Sequence, residues 1–156
     1  MKKIKEIEFE EFDNIDLLSE KDKVLIEATL EAAKKAYAPY SKYHVGSAVL
    51  LKNKKIIEGN NQENIAYPSG LCAERVATFY ASSAYPDEIM DSIAITAISN
   101  DSKISLPPFP CGSCRQVLAE YENKQHQPIR VILYAQNGKV IIFKSVQDLI
   151  PWAFVS

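Results

Sequence analysis

Each of the chain's three cysteines stands where a thiol can do chemistry. Cys72 lies in Cys72-Ala73-Glu74-Arg75, and the other two lie in Pro110-Cys111-Gly112-Ser113-Cys114-Arg115. Both segments read as helix starts. Unsatisfied main-chain N–H groups and the helix dipole favour negative charge there, so a thiolate forms readily. Cys111 and Cys114 are three residues apart, which puts both sulfurs on one side of a helical turn. Pro110 suits the first turn because its missing N–H costs nothing there.

Three soft ligands point to zinc. A structural zinc closes its shell with four protein ligands, whereas a catalytic zinc leaves the fourth position to water. The candidate fourth ligands are His44 and His126, and neither has metal-ligand spacing. Glu74, two residues past Cys72, is placed to exchange protons with a water at the metal. Other readings remain open at this point. A single Cys-x-x-Cys can be a redox pair, although Leu106-Pro107-Pro108-Phe109-Pro110, not a strand, precedes this one. A structural zinc closed by a histidine and inert buried thiols are the remaining two.

The elements that must position these residues follow from pattern. Residues 2–12 alternate charge with Ile4, Ile7, Phe9 and Phe12, which reads as a candidate edge strand. Ser19 opens a capping-box-like Ser-Glu-Lys-Asp, and an amphipathic helix runs from there to about Tyr37, ended by Pro39. Val45–Leu51 and Lys55–Gly59 form a hairpin across Lys52-Asn53-Lys54. Residues 60–71 are polar and turn-rich. Helices follow over Cys72–Ala84 and Cys111–Glu122, with a strand at Ser92–Ser99 between them and a Pro-rich loop over 100–110. Ile129–Ala135 and Val140–Phe143 flank an Asn137-Gly138 turn, a strong hairpin signal. A short helix near Val146–Ile150 closes the chain. This order predicts one domain over 1–156, with 1–18 as an N-terminal extension. The expected class is a three-layer α/β sandwich around a mixed five-stranded sheet.

Composition excludes several functions. A net charge of −2 gives no reason to expect a nucleic-acid partner. The 47% apolar fraction is too high for a disordered chain. An odd cysteine count argues against a secreted disulfide framework. No apolar stretch approaches the roughly 18 residues needed to span a bilayer, and no targeting segment is visible. A soluble, cytoplasmic protein is the expectation.

Cys72-Ala73-Glu74-Arg75, followed 39 residues later by Pro110-Cys111-Gly112-Ser113-Cys114-Arg115-Gln116, resembles the cytidine deaminase family. Three further segments resemble it: Ala36-Tyr37-Ala38-Pro39-Tyr40-Ser41-Lys42-Tyr43, Asn61-Gln62-Glu63-Asn64 and Leu149-Ile150-Pro151-Trp152-Ala153-Phe154. Together they cover about residues 20–155. The resemblance implies that Cys72, Cys111 and Cys114 hold one Zn²⁺ per chain and that Glu74 shuttles protons. The implied reaction is hydrolytic deamination of cytidine or deoxycytidine to the uracil nucleoside, in pyrimidine salvage. Asn61 and Glu63 match residues that bind ribose hydroxyls, and Ala73 matches a residue whose carbonyl reads the base. Tyr43 stands where the family usually has Phe, and Ile65 where it usually has a small residue beside the base. Phe154 matches an aromatic that reaches a neighbouring subunit's site, which implies a homotetramer with shared active sites.

Three thiolates on Zn²⁺ carry a formal charge of −1, which something must offset. Arg75 matches a partner for ligand sulfur in the family, and Arg115 is a second candidate. They are two of only three arginines in the chain. An aminohydrolase for a modified cytosine nucleoside and a non-catalytic zinc module are the alternatives.

Overall fold

The structure is a computed structural model that describes residues 1–99 and 106–155. Most of the Pro-rich loop expected over 100–110 therefore lies outside the described residues. Helix α1 (Glu20–Lys34) begins as its cap predicts. The Asp22 amide donates to Ser19 Oγ at 3.3 Å, and that hydroxyl donates to Asp22 Oδ2 at 2.9 Å. The helix stops short of Tyr37, because that residue's main chain is used elsewhere. The Tyr37 amide donates to the Asn61 carbonyl at 3.0 Å, and its carbonyl accepts from the Glu63 amide at 2.9 Å. A bond from a distant segment overrides the helical pattern here.

The remaining elements are β1 (Phe9–Phe12), β2 (His44–Leu51), β3 (Ile56–Asn60), α2 (Ala73–Ala84), β4 (Met90–Ile98), α3 (Gly112–Gln125), β5 (Arg130–Tyr134) and β6 (Val140–Phe143). They build one mixed sheet in the order β1-β6-β5-β4-β2-β3. Only β4 and β5 pair in parallel, and α3 supplies the crossover such a pair requires. The sheet has six strands rather than five. The candidate edge strand joins it, pairing antiparallel with β6 from Phe9↔Phe143 to Phe12↔Val140. The last hairpin turns through Gly138, whose φ of +97° suits glycine.

Topology decides where the helices start. β3 and β4 both run antiparallel to β2, so they point the same way. The crossovers β3–α2–β4 and β4–α3–β5 step across the sheet in one direction, and right-handed crossovers then lay α2 and α3 on one face. Both helices consequently begin at the same sheet end. Successive strand residues face opposite sides. Val49, Ile93, Ile95, Val131 and Leu133 pack with Ala77, Ala81 and Leu118 beneath α2 and α3. Ala48, Leu50, Ala94, Ile132 and Ile142 pack with Leu25 and Ile26 of α1. Gly46 permits that second contact: a Cβ there would lie 1.9 Å from the Thr29 carbonyl oxygen.

An ion pair ties α1 to β5. Arg130 donates to Asp22 from Nη1 at 2.8 Å and from Nη2 at 3.2 Å. Burial raises the Asp22 pKa, but the Arg130 guanidinium and the Ser19 hydroxyl outweigh it and hold the carboxyl below its ordinary 3.8. A depressed folded pKa adds stability that is full above the unfolded value and is lost as pH falls through the folded one. Asp22→Asn should therefore destabilise the fold at pH 7 by about 1–3 kcal/mol. The deficit should shrink well below pH 3.8. Urea melts at both pH values check this, and an equal deficit at each would contradict it. No helix among the described residues is long and apolar enough to cross a membrane.

Candidate active site

Cys72 is the N-cap of α2 and Cys111 the N-cap of α3, and neither side chain caps its helix by hydrogen bonding. Their sulfurs are thus left for another use. Cys114 sits in the first turn of α3, fully buried. Because α2 and α3 begin at the same sheet end, the three sulfurs meet. Cys72 Sγ is 4.0 Å from Cys111 Sγ, which is 3.5 Å from Cys114 Sγ, and all three lie within 4.8 Å of one another.

Tetrahedral zinc with Zn–S bonds of about 2.3 Å would hold its sulfurs about 3.8 Å apart, so the cluster fits that ion. Neither His44 nor His126 joins a metal-capable group among the described residues. His126 instead ends α3 in a left-handed conformation, with φ of 52°. Cys72 and Cys111 line an open cleft of about 880 Å³, whereas Cys114 is enclosed behind them. The sulfur shell therefore faces solvent on one side.

Three thiolates this close repel, so a cation must be present for all to ionise together. In its absence Cys72 ionises first. Hydrogen bonding from Cys114 holds its pKa down to about 5 against burial, and the Arg75 guanidinium assists. The same contact with Cys72, together with burial, pushes the Cys114 thiol up. Arg75 Nη2 lies 3.9 Å from Cys72 Sγ, and its Nε is buried with no hydrogen-bond partner. Arg115 differs from the sequence expectation. Its Nε donates to the Pro110 carbonyl at 2.8 Å and its Nη1 to the Leu149 carbonyl at 2.9 Å. It holds the loop before Cys111 and the C-terminal segment, and its charge is directed to main-chain oxygens.

Glu74 lines the same cleft although only 5% of its surface is exposed. Burial pushes its carboxyl above the usual range, and the neighbouring Cys72 charge adds to this. The height of its helix is set by Gly59. A Cβ on Gly59 would lie 2.4 Å from the Ala77 amide nitrogen and 2.7 Å from the Ala73 carbonyl oxygen, so β3 touches the first turns of α2 directly. Ala73 itself is fully buried, behind the cleft lining.

Tyr43, Asn61 and Glu63 line the same cleft as Cys72, Cys111 and Glu74. Asn61 Oδ1 accepts from the Val45 amide at 2.8 Å, and its Nδ2 donates to the Tyr43 carbonyl at 2.9 Å. Glu63 accepts from the Tyr40 amide at 2.9 Å, the Ser41 amide at 3.3 Å and the Ser41 hydroxyl. The Ser41 hydroxyl bond does most to hold its carboxyl below the ordinary range, against slight burial. Each group keeps capacity for a ligand: the amide has a second N–H, and the carboxylate has further lone pairs. Burial and the Glu74 charge push the Tyr43 phenol up.

Two expected contacts are not made within the chain. Ile65 is 80% exposed and lies outside the cleft lining. Paired bonds between Gln62 and Leu71, both 2.9 Å, pinch the base of this loop and carry Ile65 outward. Phe154 is 84% exposed. Its main chain is held on both sides by Gln116, which donates to its carbonyl at 2.7 Å and accepts from its amide at 2.9 Å. Sequence reasoning gave no role to Ser41, Gln116 or Phe109. Ser41 and Gln116 stand inside segments that carry the family resemblance, which was the one signal for them.

A sulfur shell open toward a cleft, with a buried carboxyl at its rim, defines a catalytic rather than a structural zinc centre. Comparison with known proteins agrees. Residues 19–128 match the description "Cytidine and deoxycytidylate deaminase zinc-binding region". A cytidine deaminase from Halalkalibacterium halodurans is 38% identical over 85% of this chain and 93% of that relative. One from Sporosarcina psychrophila is 39% identical over 83% and 88%. The crystal structure of cytidine deaminase from Burkholderia pseudomallei superposes with a TM-score of 0.74 at 39% identity, covering 85% of this chain and 98% of that one. The chain belongs to the cytidine and deoxycytidylate deaminase family.

Proposed function

We propose that this chain catalyses the zinc-dependent hydrolytic deamination of cytidine and deoxycytidine, giving uridine and deoxyuridine. The observation that carries the reading is the meeting of three sulfurs and the buried Glu74 at one wall of a single cleft. Cys72, Cys111 and Cys114 would hold the zinc, which when bound supplies a Lewis acid that lowers the pKa of its water toward about 7. Glu74 takes a proton from the attacking water and delivers it to ring N3, which makes C4 electrophilic. Oxygen adds at C4, Glu74 moves a second proton to the exocyclic nitrogen, and the C4–N bond breaks to release ammonia. Burial raises the Glu74 pKa, so the carboxyl holds a proton more readily than an exposed one and is suited to taking and returning it.

Asn61 and Glu63 bind the sugar hydroxyls in the cleft. Tyr43 packs near base and sugar. Arg75 offsets the excess thiolate charge, as does the N-terminal dipole of each helix. Arg115 acts by holding Pro110 and Leu149. The net charge of −2 suits a free nucleoside without phosphates. A salvage role in the reducing cytoplasm accords with that substrate and with unpaired cysteines.

The exposed Phe154 ring, with its main chain pinned, favours a homotetramer in which it enters a neighbouring cleft. Sedimentation should then give a four-chain species, and Phe154→Ala should raise KM about 3–10-fold. An active species that is strictly monomeric would remove this role. Loss of cytosine absorbance from cytidine and deoxycytidine, followed with purified protein, tests the function as a whole. Turnover of neither nucleoside by zinc-loaded protein would refute it.

A further inference from the structure

We infer that the N-terminal strand β1 is a positioning element for the substrate cleft, acting through a line of three phenylalanines. This rests on the reading of the cleft as the nucleoside site. β1 precedes the family match, which spans 19–128, and its partner β6 follows it. Phe9 of β1 is the register partner of Phe143 of β6, and their ring centroids are 5.7 Å apart. Phe143 in turn meets Phe109 edge-on, at 6.1 Å and 68°. Phe109 lines the substrate cleft two residues before Cys111. It also lines a second hollow of about 590 Å³, which Ile7 and Phe9 of the N-terminal segment border as well.

The main chain beside Phe109 is already held. Pro108 and Pro110 fix their own φ angles, and Arg115 binds the Pro110 carbonyl at 2.8 Å. The orientation of the Phe109 ring depends on what stands behind it, and that is Phe143. Phe143 is only 6% exposed, although β6 would be a sheet edge without β1. Phe9, itself 54% exposed, forms part of its cover. With the Phe9 ring removed, Phe143 gains room to change rotamer, and Phe109 loses a rigid backing at the cleft wall. The three cysteines and Glu74 lie at the starts of α2 and α3, and the direct backbone contact that seats the first turns of α2 comes from Gly59 of β3, whereas β1 pairs with β6. The effect is therefore expected on substrate binding and not on the chemical step.

Phe9→Ala should raise KM for cytidine about 3–10-fold. The value of kcat and the zinc content should stay as in the wild type, and the inhibition constant for uridine should rise with KM. Phe9→Tyr should restore KM, since its ring still packs and its hydroxyl reaches solvent. Phe109→Ala should raise KM likewise, and adding Phe9→Ala to it should raise KM no further, because Phe9 acts on the cleft only through the Phe109 ring. If alanine loosens the strand, Phe9→Val keeps strand propensity without the ring and gives the same reading. A Phe9 variant that lowers only the melting temperature and leaves KM unchanged overturns the inference, as does a Phe109→Ala variant with normal KM. Wild-type protein without cytidine turnover would instead overturn the functional reading beneath it.

Discussion

Glu74→Gln should lower cytidine turnover by about 10⁴-fold while leaving zinc content and fold intact. The carboxyl is asked to move two protons in one cycle, from water to ring N3 and then to the departing nitrogen. An amide has nearly the same shape and can do neither. Glu74 is not one of the three clustered sulfur ligands, so its replacement leaves the shell whole. Its site already disfavours a charged carboxylate through burial, so a neutral amide adds little strain. KM should change little, because Asn61 and Glu63 are held by hydrogen bonds that do not involve Glu74. Stopped-flow absorbance with metal analysis on the same sample makes the comparison. A variant within tenfold of wild-type turnover would sink the proton-shuttle role.

Stripping the metal is the second large effect. The three sulfurs come from two helices and lie within 4.8 Å of one another. Without a cation their charges oppose one another, and the cluster must keep protons: Cys72 ionises near 5 while Cys114 is pushed up. Chelation should abolish turnover, and one equivalent of zinc per chain should restore it. An ion bound at a thousandfold excess over its dissociation constant adds about 4 kcal/mol of stability. Its loss should then lower the melting temperature by about 10 °C for a chain of this size. Cys111→Ala should reach the same state permanently, with no rescue by added zinc. Full activity in a verified metal-free sample would contradict the assignment.

The local parts of the site were legible in the sequence. Ser19 caps α1, Cys72 and Cys111 stand at the N-cap positions of α2 and α3, and Gly138 turns the last hairpin, all at positions their neighbours foretell. What escaped prediction depends on groups far along the chain. α1 was expected to reach Tyr37, but the Tyr37 main chain bonds to Asn61 and Glu63. Arg115 looked like a partner for sulfur because it follows Cys114, yet two carbonyl oxygens take two of its N–H groups. The sequence left Ile65 either in the pocket or turned away, and it stands exposed beyond the Gln62–Leu71 pinch. The sixth strand was visible only as weak alternation, because an edge strand gains its order from its partner.

The sequence by itself determined the chemistry available: three thiols at helix starts, a carboxyl two residues from one of them, and an odd cysteine count without disulfide use. Such features obey rules that act within one turn, through helix dipoles, caps and side-chain periodicity. Tertiary structure alone decided that Cys72 meets Cys111, 39 residues on, and Cys114, since this needs β3 and β4 to point the same way and α2 and α3 to lie on one face of the sheet. It also decided which side of the sulfur shell stays open, and that Phe9 stands behind Phe143 and Phe109. The physical reason is that a side chain's direction and burial are set by whatever packs against it, and those partners lie beyond the reach of any local pattern.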